Sequence, residues 1–167
     1  METKEAIKKR ISVRVYDKRP IPKEVLESII DAGRLAPTAR GVEPWEFIAI
    51  TDKSLLGRIG ALANNGRFIA DGTACIAILC KDTKYYLEDG CAATENILIA
   101  AADAGVGACW VAGDKKDYCE RVKSLLGASA ELKLVSMIAM GYPKDTNPPK
   151  ARRPLASVLH WEKFSSK

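Results

Sequence analysis

The sequence predicts a single α/β or α+β sandwich, and three observations carry that expectation. Helical periodicity alternates with four short apolar strand patterns, and no internal repeat or interdomain linker interrupts the alternation. The chain of 167 residues is long enough to bury one substantial core. Its hydrophobic fraction of 47% and charged fraction of 28% are ordinary for a globular domain.

The elements are taken in chain order. Residues 3–9 form a short helix leading into an extended stretch, Arg10-Ile11-Ser12-Val13-Arg14. Pro22 suits a helix's first turn, and Val25, Ile29, Ala32 and Ala36 recur at helical spacing, so a helix covers 22–35. Pro37 stops it and leaves 38–43 as a loop. A strand at 45–51 sets Trp45, Phe47 and Ala49 against Ile48 and Ile50; a helix at 54–63 and a turn at Asn64-Asn65-Gly66 come next. The apolar run 73–80 suits a strand covered on both faces. Residues 89–104 form the most apolar helix, ending at Gly105 as its C′ residue. Being apolar nearly all round, it must be covered on most sides, and a second copy of itself is the simplest cover, so a homodimer is expected. A strand at 108–112, a helix at 115–126 and a strand at 132–140 complete the pattern. The tail from about 142 is rich in Pro, Lys and Arg and turns apolar again at 155–161, as a segment that packs on something does.

Composition excludes several functions. A net charge of +5 permits an anionic ligand, but no clustered basic face with interleaved aromatics marks a nucleic-acid reader. No apolar run is long enough for a membrane span, and the charged N-terminus lacks a signal-peptide core. The five cysteines sit in apolar patterns without a Cys-x-x-Cys pair, which reads as buried, reduced thiols in a cytoplasmic protein. The single histidine, His160, has nothing near it to build a Ser-His or Cys-His system, and no metal-ligand spacing occurs. Gly105-x-Gly107 follows a helix and precedes a strand, the reverse of a dinucleotide fingerprint.

What remains is anion recognition. In an extended segment Arg10, Ser12 and Arg14 project to one side, so two guanidiniums and a hydroxyl can meet one phosphate-bearing molecule. The same alternation also describes a plain half-buried strand. A chain with anion-binding groups but little acid–base, nucleophilic or metal machinery fits a bound cofactor that does the chemistry itself.

In these motifs the chain resembles the flavin-dependent nitroreductase family. The resemblance runs in order through Arg10-x-Ser12-x-Arg14, Ala36-Pro37-Thr38 leading to Pro44-Trp45-Glu46-Phe47, and Phe68-Ile69-Ala70-Asp71. It continues through the alanine-rich helix into Gly105-Val106-Gly107-Ala108-Cys109-Trp110-Val111-Ala112-Gly113, and ends in Gly141-Tyr142-Pro143 with Pro149-Lys150-Ala151-Arg152-Arg153-Pro154. It implies one α+β domain over 1–167, an α-β-α sandwich around a mainly antiparallel sheet. It also implies an intertwined homodimer with FMN at the interface and the tail, about 142–167, packed on the partner.

By the same resemblance Arg10 and Ser12 would hold the FMN phosphate and ribityl end, joined by Lys150 and Arg152, with Arg153 as an alternative to Arg152. Arg14 would sit at the pyrimidine edge of the ring, where a fixed cation stabilises the reduced flavin. Asn65, or Arg67 beside it, would bond the same edge. Backbone N–H groups around Ala112 and Gly113 would approach N5 and O4, while Pro37, Thr38, Ala39 and Gly41 would reach the flavin from the partner. The implied activity is NAD(P)H-dependent reduction of nitroaromatics, quinones or similar acceptors by ping-pong hydride transfer; no catalytic side chain is required. The loop departs from the family pattern at Thr38-Ala39, Gly41 and Glu43, which leaves open a second reading, an FMN-binding or flavin-carrier protein without NAD(P)H turnover of its own.

Overall fold

The computed structural model describes residues 1–144 and 151–165. Five α-helices and four strands alternate among them: α1 (Thr3–Lys9), α2 (Lys23–Arg34), β1 (Trp45–Ile50), α3 (Lys53–Leu62), β2 (Ala74–Lys81), α4 (Tyr86–Asp103), β3 (Gly107–Ala112), α5 (Cys119–Leu125) and β4 (Leu132–Gly141). The strands form one sheet in the order β1-β2-β4-β3, and every adjacent pair is antiparallel. β2 and β3 therefore run parallel with β4 between them, and α4 is the crossover that carries the chain past it. The architecture is the expected α+β sandwich.

Pleating divides the core into two halves. Ile76, Ile78, Ile138 and Met140 pack against α2 and α4 on one face of the sheet. Cys75, Ala77, Met137 and Ala139 pack against α3 and α5 on the other. β2 is covered on both sides: every residue from Cys75 to Cys80 is fully buried, as its unbroken apolar run predicts.

One irregularity interrupts the ladder between β2 and β4. Ile78 opposes Ser136 while Leu79 opposes Leu134, so Val135 is an extra residue bulged out of β4. Val135 and Ser136 both face α4: the Ser136 hydroxyl pairs with Thr94 Oγ1 at 2.7 Å, and the Val135 methyls fill the space a side chain at Gly90 would need.

Most element boundaries agree with the sequence pattern, and two differ. α4 begins at Tyr86 instead of 89. α5 begins only at Cys119, because Lys115 adopts φ +63 and residues 114–115 and 117–118 form turns; left-handed backbone cannot continue a helix. The end of α4 follows the pattern closely. Gly105 takes φ +70, its N–H donates to Ala102 O, and the Val106 N–H reaches Ala101 O, the paired bonds of a Schellman cap.

The expected loop at 38–43 contains a short 3-10 turn, Ala39–Gly41. α4 keeps a buried stripe through Asp89, Ala93, Ile97 and Ala101, while Ala92, Ile99 and Ala102 on its other side are only half-buried. The tail turns away from its own chain: Leu155, Trp161 and Phe164 are 71%, 76% and 83% exposed. No helix among the described residues is long and apolar enough to cross a membrane.

Candidate functional site

The site is built on the free edge of β3. The segment after α1 lies against that edge in parallel, with Ser12 bridged to Ala108 and the Val13 N–H donating to Ala108 O at 3.0 Å. Val13 is buried against Gly107, so the alternation turns Arg10, Ser12 and Arg14 outward together. The Arg14 guanidinium lies 5.6 Å over the Phe68 ring, a cation–π contact that fixes its direction. All three side chains act on one buried thiol, Cys109: burial pushes it up, while Arg14, a Ser12 hydrogen bond and Arg10 pull it down.

Arg10 has an internal partner as well. Its Nε stands 3.8 Å from the Glu95 carboxylate of α4. Glu95, a charge in the most apolar helix, thus pairs within the chain, and Asn96 beside it donates to Ala32 O at 3.0 Å. A half-exposed pair at that distance is weak, so the guanidinium can exchange the carboxylate for a phosphate.

Asn65 is exposed on the turn after α3. The turn reaches the same edge, because Gly66 packs on Val111 of β3 and Phe68 underlies Arg14. Arg67 is exposed between them.

At the end of β3, Gly113 cannot carry a side chain: a Cβ there would stand 2.5 Å from Leu134 O and 2.8 Å from Val135 O. The Gly113 and Asp114 N–H groups both donate to the Val135 carbonyl on the bulge, at 3.1 and 3.2 Å. This corrects the expectation for Gly113, whose N–H is committed within the sheet. Alternation along an antiparallel strand turns the Ala112 N–H the other way, to the free edge, where Ala112 is exposed.

Three further side chains fix this segment. Tyr118 Oη donates to Ala112 O, and Cys119 Sγ donates to Gly113 O at 2.6 Å. Tyr86 Oη donates to Asp114 Oδ1 at 2.8 Å, a bond that pushes the phenol up to about 12 and keeps it a neutral donor. Sequence reasoning missed Tyr86, Tyr118 and Cys119, because nothing in their spacing signals a side chain that holds a carbonyl or carboxylate elsewhere.

The loop with Pro37, Thr38 and Ala39 is tied to α4. The carboxylate of buried Asp89 accepts from Thr38 Oγ1 at 2.8 Å and from the Ala39 N–H at 3.1 Å, and Thr38 Oγ1 accepts from the Glu43 N–H at 3.0 Å. The Thr38 hydroxyl and the Ala39 N–H are therefore spent inside the chain and are not offered to a ligand. Asp89 was legible in part, since it shares the apolar stripe with Ala93 and Ile97, where a carboxylate needs buried donors.

Arg152 and Arg153 are exposed on the tail, and the structure does not gather them with Arg10. Lys150 lies outside the described residues. All five cysteines are free; Cys75, Cys80 and Cys109 are buried as expected, but Cys91 and Cys119 are only half-buried.

Comparison with known proteins finds relatives along nearly the whole chain. A family model described as "Putative TM nitroreductase" matches residues 2–167. A "Putative NADH dehydrogenase/NAD(P)H nitroreductase" of Archaeoglobus fulgidus is 34% identical over 144 residues, covering 81% of this chain and 82% of that protein. The crystal structure of a protein of the same description from Parabacteroides distasonis superposes with a TM-score of 0.93 at 30% identity, over 98% of this chain and 99% of the other. A nitroreductase from Desulfovibrio desulfuricans, solved in complex with FMN, gives a TM-score of 0.86 at 26% identity, over 99% of both chains.

Proposed function

The chain belongs to the nitroreductase family, and on that premise we propose that it is an FMN-dependent oxidoreductase that uses NAD(P)H to reduce nitroaromatic, quinone or similar acceptors. The observation that carries the reading is the edge of β3. There an outward Arg10-Ser12-Arg14 triplet, its Arg14 guanidinium backed by Phe68, shares one edge of the sheet with an edge-facing Ala112 N–H. The donor set fits FMN: one cation and a hydroxyl, Arg10 and Ser12, suit a phosphate and ribityl chain, and the second cation, Arg14, suits the pyrimidine edge. Relatives described as NAD(P)H nitroreductases, and one solved with FMN, support the assignment.

When bound, FMN would supply the redox chemistry, accepting hydride at N5 from NAD(P)H and passing it to an acceptor on the same face in a ping-pong cycle. The chain's residues bind and orient. Arg10 and Ser12 would grip the phosphate and ribityl end, with Lys150 and Arg152 or Arg153 closing over it. Arg14 and Asn65 would face the pyrimidine edge, and Ala112 would present its N–H to the ring. Pro37, Thr38 and Ala39 would meet the cofactor of a partner subunit by contact. Homodimerisation would cover the half-exposed side of α4 and the apolar tail, whose Trp161 and Phe164 find little cover on their own chain.

The purified protein's absorbance spectrum tests this reading. A yellow protein bleached anaerobically by NADH or NADPH, and reoxidised by a quinone or nitroaromatic, is the expected result. A colourless protein that takes up no FMN on reconstitution sinks it. FMN that binds but resists both nucleotides favours the carrier reading, which the altered loop supports. The arginines divide the work: Arg10→Ala is expected to weaken FMN binding by about 2 kcal/mol, roughly thirtyfold. Arg14→Ala is expected mainly to lower the midpoint potential. Equal losses of affinity with no change in potential would refute the division.

A further inference from the structure

We propose that Tyr118 and Cys119, at the start of α5, are positioning residues that fix the backbone following the Ala112 N–H, so that the ligand meets that donor and not a free carbonyl; the inference rests on the FMN reading above. The argument is a complete account of the polar groups in two consecutive peptides. The peptide joining Ala112 and Gly113 has its carbonyl held by Tyr118 Oη and its N–H held by Val135 O. The peptide joining Gly113 and Asp114 has its carbonyl held by Cys119 Sγ and its N–H held by the same Val135 oxygen. Both planes are thus fixed at both ends.

In a strand the N–H and C=O of one residue point to the same side. The Ala112 N–H belongs to the preceding peptide, held by the β3–β4 ladder at Val111, so the Tyr118 hydroxyl fixes the peptide that follows it and covers the carbonyl that shares the edge with that N–H. With that carbonyl covered, the Ala112 N–H is the backbone donor of residues 112–114 turned to the edge. Tyr118 is itself buried, 3% exposed, so its hydroxyl stands at the edge as part of the rigid scaffold. The bulge at Val135 supplies the shared acceptor, and Gly113 is required for the strand to approach it so closely. A dipole fixed before a ligand arrives costs no reorganisation when charge develops beside it. Removing the Tyr118 hydroxyl leaves the fold's apolar contacts in place and frees the Ala112–Gly113 peptide to rotate.

The test compares wild type with Tyr118→Phe, Cys119→Ala and Cys119→Ser, reading FMN dissociation constant, midpoint potential of bound FMN, and backbone amide exchange in the FMN-free protein. Tyr118→Phe is expected to bind reduced FMN about tenfold less well relative to oxidised FMN, a fall in potential of ~30 mV for two electrons. The Gly113 and Asp114 amides should exchange at least tenfold faster without FMN. Cys119→Ala should shift both readouts in the same direction by less, and Cys119→Ser, which restores a donor, should recover them. A folded Tyr118→Phe with unchanged potential and unchanged amide exchange overturns the proposal. If Tyr118→Phe does not fold, the Cys119 pair decides, and equal behaviour of Ala and Ser overturns it. A wild type that binds no FMN overturns the reading beneath, whereas a wild type that binds FMN beside indifferent variants overturns the clamp alone.

Discussion

The end of β3 and the loop after α2 both carry residues expected at the cofactor, and both are tied to the first turns of α4, yet they are held in opposite ways. Residues 112–114 accept hydrogen bonds from Tyr86 of α4 and from Tyr118 and Cys119 at the start of α5, and donate two to the Val135 carbonyl on the bulge of β4. The loop is joined to the rest of the fold chiefly through one carboxylate, Asp89, while Arg40, Gly41 and Glu43 all adopt positive φ. The first region is over-determined and presents a backbone donor outward. The second is determined by a single side chain and turns its donors inward. On the proposed reading, rigid geometry would sit where a ring edge is met at a fixed angle, and adaptable contact where only shape is required.

The largest test of this contrast is Gly113→Ala. The new methyl would press on backbone oxygens of Leu134 and Val135, which cannot swing aside as a side chain can. A loss of about 3 kcal/mol is expected, or roughly 6–12 °C in Tm for a domain of this size, read by thermal unfolding. A fall under 2 °C would mean that the end of β3 has slack and that the over-determination is only apparent.

Asp89→Ala comes next. It removes an anionic acceptor from two donors in a partly buried setting, at a cost of about 2 kcal/mol. The effect should be local: proteolysis at residues 39–43 should quicken by at least tenfold, while amide exchange at 112–114 stays as in wild type. Asp89→Asn keeps one acceptor and should lose about half as much. Equal loosening of both regions would show that they form one cooperative unit, contrary to the comparison.

What the sequence reveals depends on the range of each interaction. Local patterns were readable: the apolar stripe of α2, the doubly covered run of β2, and the Gly105 cap depend on neighbours within a few residues. The outward triplet at 10–14 was readable for the same reason, because alternation alone turns Arg10, Ser12 and Arg14 to one side. The features that finish the site were not. The bulge at Val135 arises from register between strands, and Tyr118 and Cys119 reach carbonyls across a turn whose start at Lys115 is left-handed. The Arg10–Glu95 pair joins elements far apart in the chain. Only Asp89 lay between these cases, since a carboxylate on an apolar stripe announces a buried partner without saying which.

The smallest predicted effect separates the two regions most sharply. Each contains a non-glycine residue in left-handed backbone: Arg40 with φ +59 in the loop and Lys115 with φ +63 just after the clamp. Glycine at either position relieves up to about 1 kcal/mol of steric cost and, in the unfolded chain, adds conformational freedom of comparable size. At 115 the flanking backbone is pinned by Gly113, Asp114 and Tyr118, so the folded state gains no freedom and the two terms leave a net change within about 0.5 kcal/mol. In the loop, glycine at 40 also loosens the native segment, which returns part of the entropy but weakens the Asp89 tie. The expected signature is therefore in dynamics: Arg40→Gly should speed amide exchange at 39–43 several-fold at nearly unchanged Tm, and Lys115→Gly should leave exchange at 112–114 as it was. If Lys115→Gly loosens its neighbours as much as Arg40→Gly does, the hydrogen bonds from Tyr118 and Cys119 do not hold the backbone, and the distinction between the two regions fails.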